Sequence, residues 1–248
     1  MSLAIPLRPP LLLVAILTAS TIHAAGRVEL QIVAEPRGDV TAQQQWAQRL
    51  GEAGFSAVYS LVAALSLGAA IYGYRESPPF VLWNLGIGGR WIPAIVMPFA
   101  LALVVLGLTT RSATAVGGDK ALAQGLAPRG IFTVTRHPFL WGTGLWALAH
   151  LAPNGDVPSL ILFGGMAILS FGGMLAIDHK RAVRSGAAWQ KYAADTSLVP
   201  FGAALRGRSI DWGGIGWVRP VAALFLYLAL FHGHRWLFGV SALPNPAG

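Results

Sequence analysis

The sequence predicts an all-α membrane protein, a polytopic helical bundle of about six transmembrane helices. Hydrophobic residues make up 54% of its 248 residues and charged residues only 11%, whereas a soluble domain has about 25% charged residues. Such an apolar chain is not intrinsically disordered. Because the sequence contains no cysteine, disulfides, zinc–cysteine sites and thiol nucleophiles are excluded.

Six apolar segments are predicted to span the bilayer: residues 11–33, 55–74, 91–110, 139–153, 157–177 and 218–240. The first segment is interrupted by Arg27 and Glu29, and the fourth is short. Since a spanning helix needs roughly 20 apolar residues, we expect these two to tilt or to pack against protein. The first segment also resembles a cleavable signal peptide, and this alternative stays open. Residues 1–248 are predicted to form a single domain.

Basic residues predict the orientation. Loops one, three and five hold 14 of the 18 Lys and Arg residues. By the positive-inside rule these loops face the cytoplasm and both termini face outward. The net charge of +8 therefore reflects loops at an anionic leaflet, and no nucleic-acid-binding module is visible. Loop one contains a polar stretch at 43–46 that we expect to form an interfacial helix. Loop five, about 179–217, is predicted to be the largest soluble part.

Histidines are the informative residues, because ionisable side chains inside a membrane are rare and usually functional. Four of the six lie within predicted spans: His23, His150, His232 and His234. Such imidazoles are suited to bind a buried metal or haem iron. The other interpretation, a histidine hydrogen-bonded to a backbone carbonyl or a hydroxyl group between helices, stays open for each of them.

The spacing of the histidines limits which of them share one metal. His137 and His150 are thirteen residues apart, so on one straight helix they differ by about 220° in direction and about 20 Å in height. They therefore cannot both bind one iron. A partner for His150 has to come from another span, which leaves His23, His232 or His234.

The motif Arg136-His137-Pro138 predicts a helix start on the cytoplasmic side, because proline favours the first helical turn. Two cationic donors at this position can hold an anion or a headgroup. We expect both side chains at the mouth of a cavity between helices, within reach of Asp178 or loop five. The alternative, that they only anchor a helix end, stays open.

The chain resembles the NnrU family of bacterial membrane proteins over nearly its whole length. The most specific part runs from Arg136 to Asp156. The resemblance is carried by these segments: around His23, 51–55, 59–61, 135–138, 145–151, 154–156, Trp189, 196–197, 200–201 and 237–241. The family is associated with nitrite and nitric oxide reductase clusters, which implies a link to denitrification and a location in the bacterial inner membrane.

A relative of that family, the plastid 15-cis-zeta-carotene isomerase, carries haem b on histidines. The resemblance implies that His23 and His150 are the haem ligands here, with His137 a nearby supporting residue and Arg136 beside it. It also implies redox-gated cis–trans isomerisation of a polyene such as zeta-carotene, a hydrophobic small molecule. In that reading His23, His150 and His137 are the catalytic residues.

A weaker resemblance leads to a different class of enzyme. Arg136-His137-Pro138 with Gly142, followed by Trp189 and Tyr192, is similar to membrane methyltransferases of the isoprenylcysteine and phospholipid type, which bind S-adenosylmethionine. The chain departs from that pattern at two places: Leu140 replaces a tyrosine, and Asp178-His179 replaces an acidic pair. A third class, a non-enzymatic accessory protein for reductase assembly, stays open as well.

We predict that a C-terminal alkaline phosphatase fusion is active and that a C-terminal green fluorescent protein fusion is dark. The reason is the concentration of Lys and Arg in loops one, three and five, which places the C-terminus outside the cytoplasm. An inactive phosphatase fusion together with a bright fluorescent fusion would show that the C-terminus faces the cytoplasm and would contradict the predicted orientation.

Overall fold

The computed structural model describes residues 42–114 and 118–243. Helices dominate this part of the chain, and it contains no β-strand, which confirms the all-α prediction. Its one isolated β-bridge joins Val81 to Asp156.

The helices are labelled in chain order. They are α1 (Ala42–Glu76), α2 (Gly86–Thr109), α3 (Gly118–Ala123), α4 (Pro138–Leu151), α5 (Val157–Asp195), α6 (Trp212–Ile215) and α7 (Val218–Phe238). Short 3₁₀ helices lie at Gly130–Thr133 and Ala204–Arg206. The first part of α5 includes a π-helical turn at Leu160–Gly164.

Four helices are long and apolar enough to cross a bilayer, namely Ala57–Glu76, Gly86–Thr109, Val157–Asp195 and Val218–Phe238. They correspond to the second, third, fifth and sixth predicted spans. The fourth predicted span forms α4, whose 14 residues fall short of about 20. The first span lies outside the described residues, so the number six stays a prediction.

Large apolar side chains lie on the outside of the four long helices. Leu65 on α1 is 64% exposed, Phe99 on α2 67% and Leu169 on α5 68%. In water this much contiguous apolar surface is unfavourable, whereas lipid tails cover it without cost. The fold therefore fits a lipid bilayer environment.

The chain divides into two compact units, Met1–Ser60 and Leu61–Gly248. In the first unit the described residues, 42–60, are helical. They include the polar stretch 43–46, which is therefore helical as expected. Gly51 interrupts the regular helix with φ 71° and ψ 163°, a conformation that glycine adopts without steric cost.

Helices α2 and α4 approach each other closely through glycine. A Cβ atom on Gly142 would lie 2.6 Å from the Ala100 carbonyl oxygen and 2.7 Å from Cγ2 of Val104. A Cβ on Gly107 would lie 2.8 Å from the Phe139 backbone nitrogen. Small residues allow backbones in a membrane to come this near, and close packing is what holds such helices together.

Two prolines inside α2 leave backbone carbonyls without their usual helical donors. Pro98 has no N–H, so the carbonyl of Ala94, four residues earlier, lacks a partner within α2. The hydroxyl of Tyr227 on α7 donates to that carbonyl at 2.9 Å. A side chain from a neighbouring helix thus satisfies the carbonyl that the proline frees, as the membrane interior demands.

Helix α5 is longer than the sequence predicts. The fifth span was expected to end at residue 177, but α5 continues to Asp195. Hydropathy marks where lipid ends, and the helix continues beyond that point through charged residues that favour helix. Gly186, at φ 46° and ψ −121°, bends this extension. Loop five is correspondingly shorter than the expected 179–217.

The rest of loop five packs under the segment that leads into α4. Thr135 Oγ1 and Trp141 Nε1 both donate to the Leu198 carbonyl at 2.8 Å. Asp211 accepts hydrogen bonds from the backbone N–H groups of Gly130 and Gly214 at 2.9 and 2.8 Å. These two donors stabilise the ionised carboxylate and lower the pKa of Asp211. Polar contacts thus fix the N-terminal end of α4.

We predict that Gly142→Ala destabilises the protein by about 1–3 kcal/mol, because the added methyl group forces α2 and α4 apart. Gly172→Ala on α5 is the matched control, since a Cβ there meets no atom within 4 Å. The control is expected to be neutral or to stabilise by up to about 1 kcal/mol through helix propensity. Thermal unfolding of both variants in detergent measures the difference. Equal melting temperatures would contradict the close approach.

Candidate functional site

Polar residues gather at both ends of α4. At its N-terminal end is the His137 cluster, formed by Arg136, His137 and Asp178. At its C-terminal end is the His150 cavity, which also contains His234. Thirteen residues of helix separate the two histidines of α4, about 20 Å along its axis.

In the His137 cluster one carboxylate receives two donors. Asp178 Oδ2 accepts from Arg136 Nε at 2.7 Å, and its Oδ1 accepts from His137 Nε2 at 2.6 Å. The His137 side chain is only 1% exposed, and the other two are 15–18% exposed. Short, shielded hydrogen bonds to an ionised group are the strong kind, so this cluster joins α5 firmly to the start of α4.

Local backbone structure aims these side chains. His137 precedes the helix in a non-helical conformation, and Pro138 occupies the first turn, as the motif predicts. The backbone N–H of Arg136 donates to the Ser197 carbonyl in loop five at 2.9 Å. The guanidinium of Arg136 lies 5.8 Å from the ring centre of the buried Trp189, within cation–π range. The expected contact with Asp178 and loop five is therefore present.

The cluster's chemistry differs from a simple anion site. The sequence expectation was that Arg136 and His137 hold an anion or a headgroup. In the structure Nε of Arg136 and Nε2 of His137 both turn to Asp178, so the anion that they hold is the protein's own carboxylate.

The His150 cavity has a volume of about 510 Å³ and lies between α2, α4 and α7. His150 Nδ1 donates to the Trp146 carbonyl one turn earlier at 2.9 Å. The imidazole is flanked by the rings of Trp146 and Phe163, with centroid distances of 5.5 and 5.6 Å. The hydrogen bond and the two rings together fix the orientation of His150.

His234 reaches the same cavity from α7. Helix α7 ends at Gly239, whose left-handed φ of 80° turns the chain back, as glycine at this position commonly does. The turn presents the Val240 carbonyl to His234, whose Nδ1 donates to it at 2.8 Å. The ring centroids of His234 and His150 are 6.5 Å apart, and the ring planes differ by 17°.

The other polar residues around the cavity are cationic or neutral. Arg90 and Arg235 line it, and neither Asp nor Glu is among its described lining residues. Asn154 donates from Nδ2 to the His150 carbonyl at 2.7 Å and thereby closes the C-terminal end of α4. The cavity therefore favours a ligand that carries negative charge.

The structure separates the site residues that the resemblance brings together. His137 and His150 lie at opposite ends of α4, in agreement with the spacing argument. His23 lies outside the described residues. His179 and His232 are exposed. His234, one of three partners that the spacing left open, is the histidine beside His150. No group of three or more His, Asp or Glu side chains suited to a metal occurs within 42–114 and 118–243.

We predict that Asp178→Asn lowers the free energy of unfolding by about 2 kcal/mol, because an amide has one acceptor oxygen and cannot accept from Arg136 and His137 on two oxygens as a carboxylate does. The control is Asp195→Asn. Asp195 pairs with Arg208 at 3.1 Å, but these side chains are 37% and 53% exposed, so its loss is expected to cost about 0–1 kcal/mol. Thermal unfolding in detergent compares the two variants. A larger loss for Asp195→Asn would show that the His137 cluster does not hold α4 in place.

The comparison with known proteins rests on one family model. The model described as NnrU protein matches residues 37–242, which include the His137 cluster and the lining of the His150 cavity. The chain matches no curated protein and no solved structure. Because the match extends over most of the chain, the chain belongs to the NnrU family of membrane proteins.

Proposed function

We propose that this protein binds haem b within the membrane and that His150 would hold the haem iron. The observation that carries the proposal is the state of the His150 imidazole. A carbonyl only accepts hydrogen bonds, so the contact with the Trp146 carbonyl places the proton on Nδ1. In the neutral ring Nε2 then keeps its lone pair. Histidines that bind metals are typically oriented by such a hydrogen bond.

The surroundings of His150 fit a haem in two further respects. Apolar side chains such as Met97, Leu101 and Leu230 line the cavity, as they do in most cofactor sites. Arg90 and Arg235 line it too, and guanidinium groups pair well with carboxylates such as the two haem propionates. The residues present thus supply an imidazole, an apolar wall and cationic partners.

These contacts suggest a separate role toward the haem for each group of residues in the His150 cavity. A bound haem supplies an iron that changes its oxidation state and its Lewis acidity. His150 would hold the iron, while Trp146 and Phe163 keep the imidazole in place. Arg90 and Arg235 would pair with the haem carboxylates.

We further propose a role for the loaded protein in one of two settings, both taken from the resemblance. One is a redox-gated cis–trans isomerisation of a polyene such as zeta-carotene, a substrate that reaches the site through the lipid. The other is an accessory role in the assembly of nitrite or nitric oxide reductases for denitrification at the bacterial inner membrane. Haem binding is common to both, and it is therefore the part to test first.

A second candidate function is an S-adenosylmethionine-dependent membrane methyltransferase. The observation that favours it is the His137 cluster, which gathers Arg136, His137, Asp178 and Trp189 from the segments that resemble those enzymes. Leu140 and the pair Asp178-His179 depart from their pattern. This candidate predicts a protein without haem that binds S-adenosylmethionine.

We predict that the protein, expressed with ample haem and purified in detergent, shows a low-spin haem spectrum. His150→Ala is expected to reduce the haem content at least about tenfold, since even indirect partners of a metal contribute 10- to 100-fold to affinity. His23→Ala tests the second ligand that the resemblance implies. His179→Ala is the control, because His179 is exposed and does not line the cavity. Pyridine haemochrome assays and absorption spectra measure the content and the spin state.

Two outcomes would count against the proposal. If the wild-type protein purifies colourless and does not take up hemin, haem binding is wrong, and calorimetry with S-adenosylmethionine then tests the methyltransferase. If His150→Ala keeps full haem with an unchanged low-spin spectrum, the assignment of His150 is wrong.

A further inference from the structure

We propose that residues 199–217 of loop five lie in the headgroup layer of the bilayer and bind anionic lipid there, instead of standing in water as the soluble part that the sequence predicts. The proposal does not depend on haem. Its starting point is a set of large apolar side chains in this segment that are 50–88% exposed: Val199, Phe201, Leu205, Trp212 and Trp217.

Packing sets the depth of the middle of this segment. Ile210 and Ile215 pack against the apolar cluster that contains Leu106. Leu106 belongs to the spanning helix α2 and lies three residues before its end at Thr109, about 4.5 Å along the helix axis. The middle of the segment therefore lies at the level of the last turn of a spanning helix.

The two ends of the segment lie at the same level. Just before it, the Leu198 carbonyl accepts a hydrogen bond from Trp141 in the first turn of α4. The backbone N–H of Phe201 donates to the Val134 carbonyl, in the chain that leads into α4, at 2.8 Å. The last residue, Trp217, directly precedes α7. The whole segment is thus held where the helices meet the membrane boundary.

The exposed side chains are those that this layer of the membrane favours. Trp212 and Trp217 have amphipathic rings, which are enriched at membrane–water interfaces. The exposed apolar surface continues from Trp217 onto Val218, the first residue of the spanning helix α7, which is 60% exposed. In water such a surface is unfavourable, whereas at this depth it continues the lipid-facing surface of α7.

Phe201 adopts a strained conformation that keeps its ring outside the core. Among the described residues it is the one non-glycine residue with a positive φ, 65°, which a bulky side chain rarely adopts. Hydrogen bonds at its N–H and its carbonyl hold this conformation. The ring is nevertheless half exposed. A ring held outward at the expense of backbone strain has a use in the interface, where it anchors the segment.

The charge of the segment complements anionic headgroups. Residues 199–217 contain two arginines and one acidic residue. Arg206 and Arg208 are exposed, whereas the Asp211 carboxylate already accepts from two backbone N–H groups. Arg206 donates to the Thr196 carbonyl at 2.9 Å, a contact that leaves its positive charge uncompensated. Cationic side chains beside inserted apolar ones favour anionic lipid over zwitterionic lipid.

The test uses the absence of cysteine from the chain. Leu205→Cys in the full-length protein is labelled with an environment-sensitive fluorophore and reconstituted in nanodiscs of phosphatidylcholine and phosphatidylglycerol. We expect strong quenching by lipids that carry a nitroxide near the headgroup end of an acyl chain, and weak quenching by aqueous iodide.

Gln124→Cys is the matched control. Gln124 is exposed and follows α3, whose Leu122 packs against Trp189 and Tyr192 on the extension of α5. A label there is expected to show the reverse pattern, with strong quenching by iodide and weak quenching by the lipid nitroxide. Leu205 and Gln124 are both exposed, so both variants are expected to keep the wild-type melting temperature, which thermal unfolding checks.

A second measurement tests the headgroup. The same nitroxide is placed on phosphatidylglycerol and on phosphatidylcholine, so that the two quenchers differ only in headgroup charge. We expect phosphatidylglycerol to quench the label at Leu205→Cys at least about twofold more strongly. Adding Arg206→Gln and Arg208→Gln is expected to abolish this preference and to leave quenching by phosphatidylcholine unchanged.

The other results would overturn the proposal. Quenching at Leu205→Cys by iodide alone would show that the segment stands in water. Protection from both quenchers would show that a partner protein or a second copy of the chain covers it. Equal lipid quenching of the labels at Leu205→Cys and Gln124→Cys would contradict the inferred depth. Equal quenching by the two headgroups would contradict the binding of anionic lipid.

Discussion

The close approach of α2 and α4 at Gly107 and Gly142 is the contact on which the rest of the site depends. Helix α4 has only 14 residues, too few to cross a bilayer comfortably, so protein contacts have to hold it. Both polar sites lie at its ends. Any shift of α4 against α2 would therefore move the His137 cluster and the His150 cavity together.

Backbone carbonyls organise the polar side chains of this fold. A carbonyl left unpaired in lipid is costly, and several here are satisfied by side chains instead of helical N–H groups. Tyr227 donates to the carbonyl of Ala94, and Asn154 donates to that of His150. His150 and His234 donate to the carbonyls of Trp146 and Val240. For the histidines this has a chemical result, because the carbonyl decides which ring nitrogen is protonated. A requirement of membrane folding thus places the proton of both imidazoles on Nδ1.

Much of this arrangement could be predicted from the sequence, and its limits have physical reasons. Hydropathy predicted six spans, and four of them are long apolar helices in the described part of the chain, since lipid contact acts on every residue of a long helix. It misplaced the end of α5, because a helix continues in water as long as its residues favour it. The meeting of Arg136 and His137 with Asp178 followed from a proline-started helix at a membrane boundary. The neighbour of His150 did not follow, since the turn at Gly239 and the packing of α7 against α2 set that distance.

The hydrogen bond from Tyr227 to Ala94 has a consequence for how α7 is seated. Apolar helices in lipid slide past one another easily, because successive helical turns present similar apolar surfaces. A single polar bond to the Ala94 carbonyl, which Pro98 leaves without a helical donor, opposes such sliding. A slip by one residue would rotate α7 by about 100° and shift it by about 1.5 Å, breaking the bond. The Tyr227 bond thus fixes the axial position and the rotation of α7. It thereby also fixes where His234 lies, seven residues further along that helix.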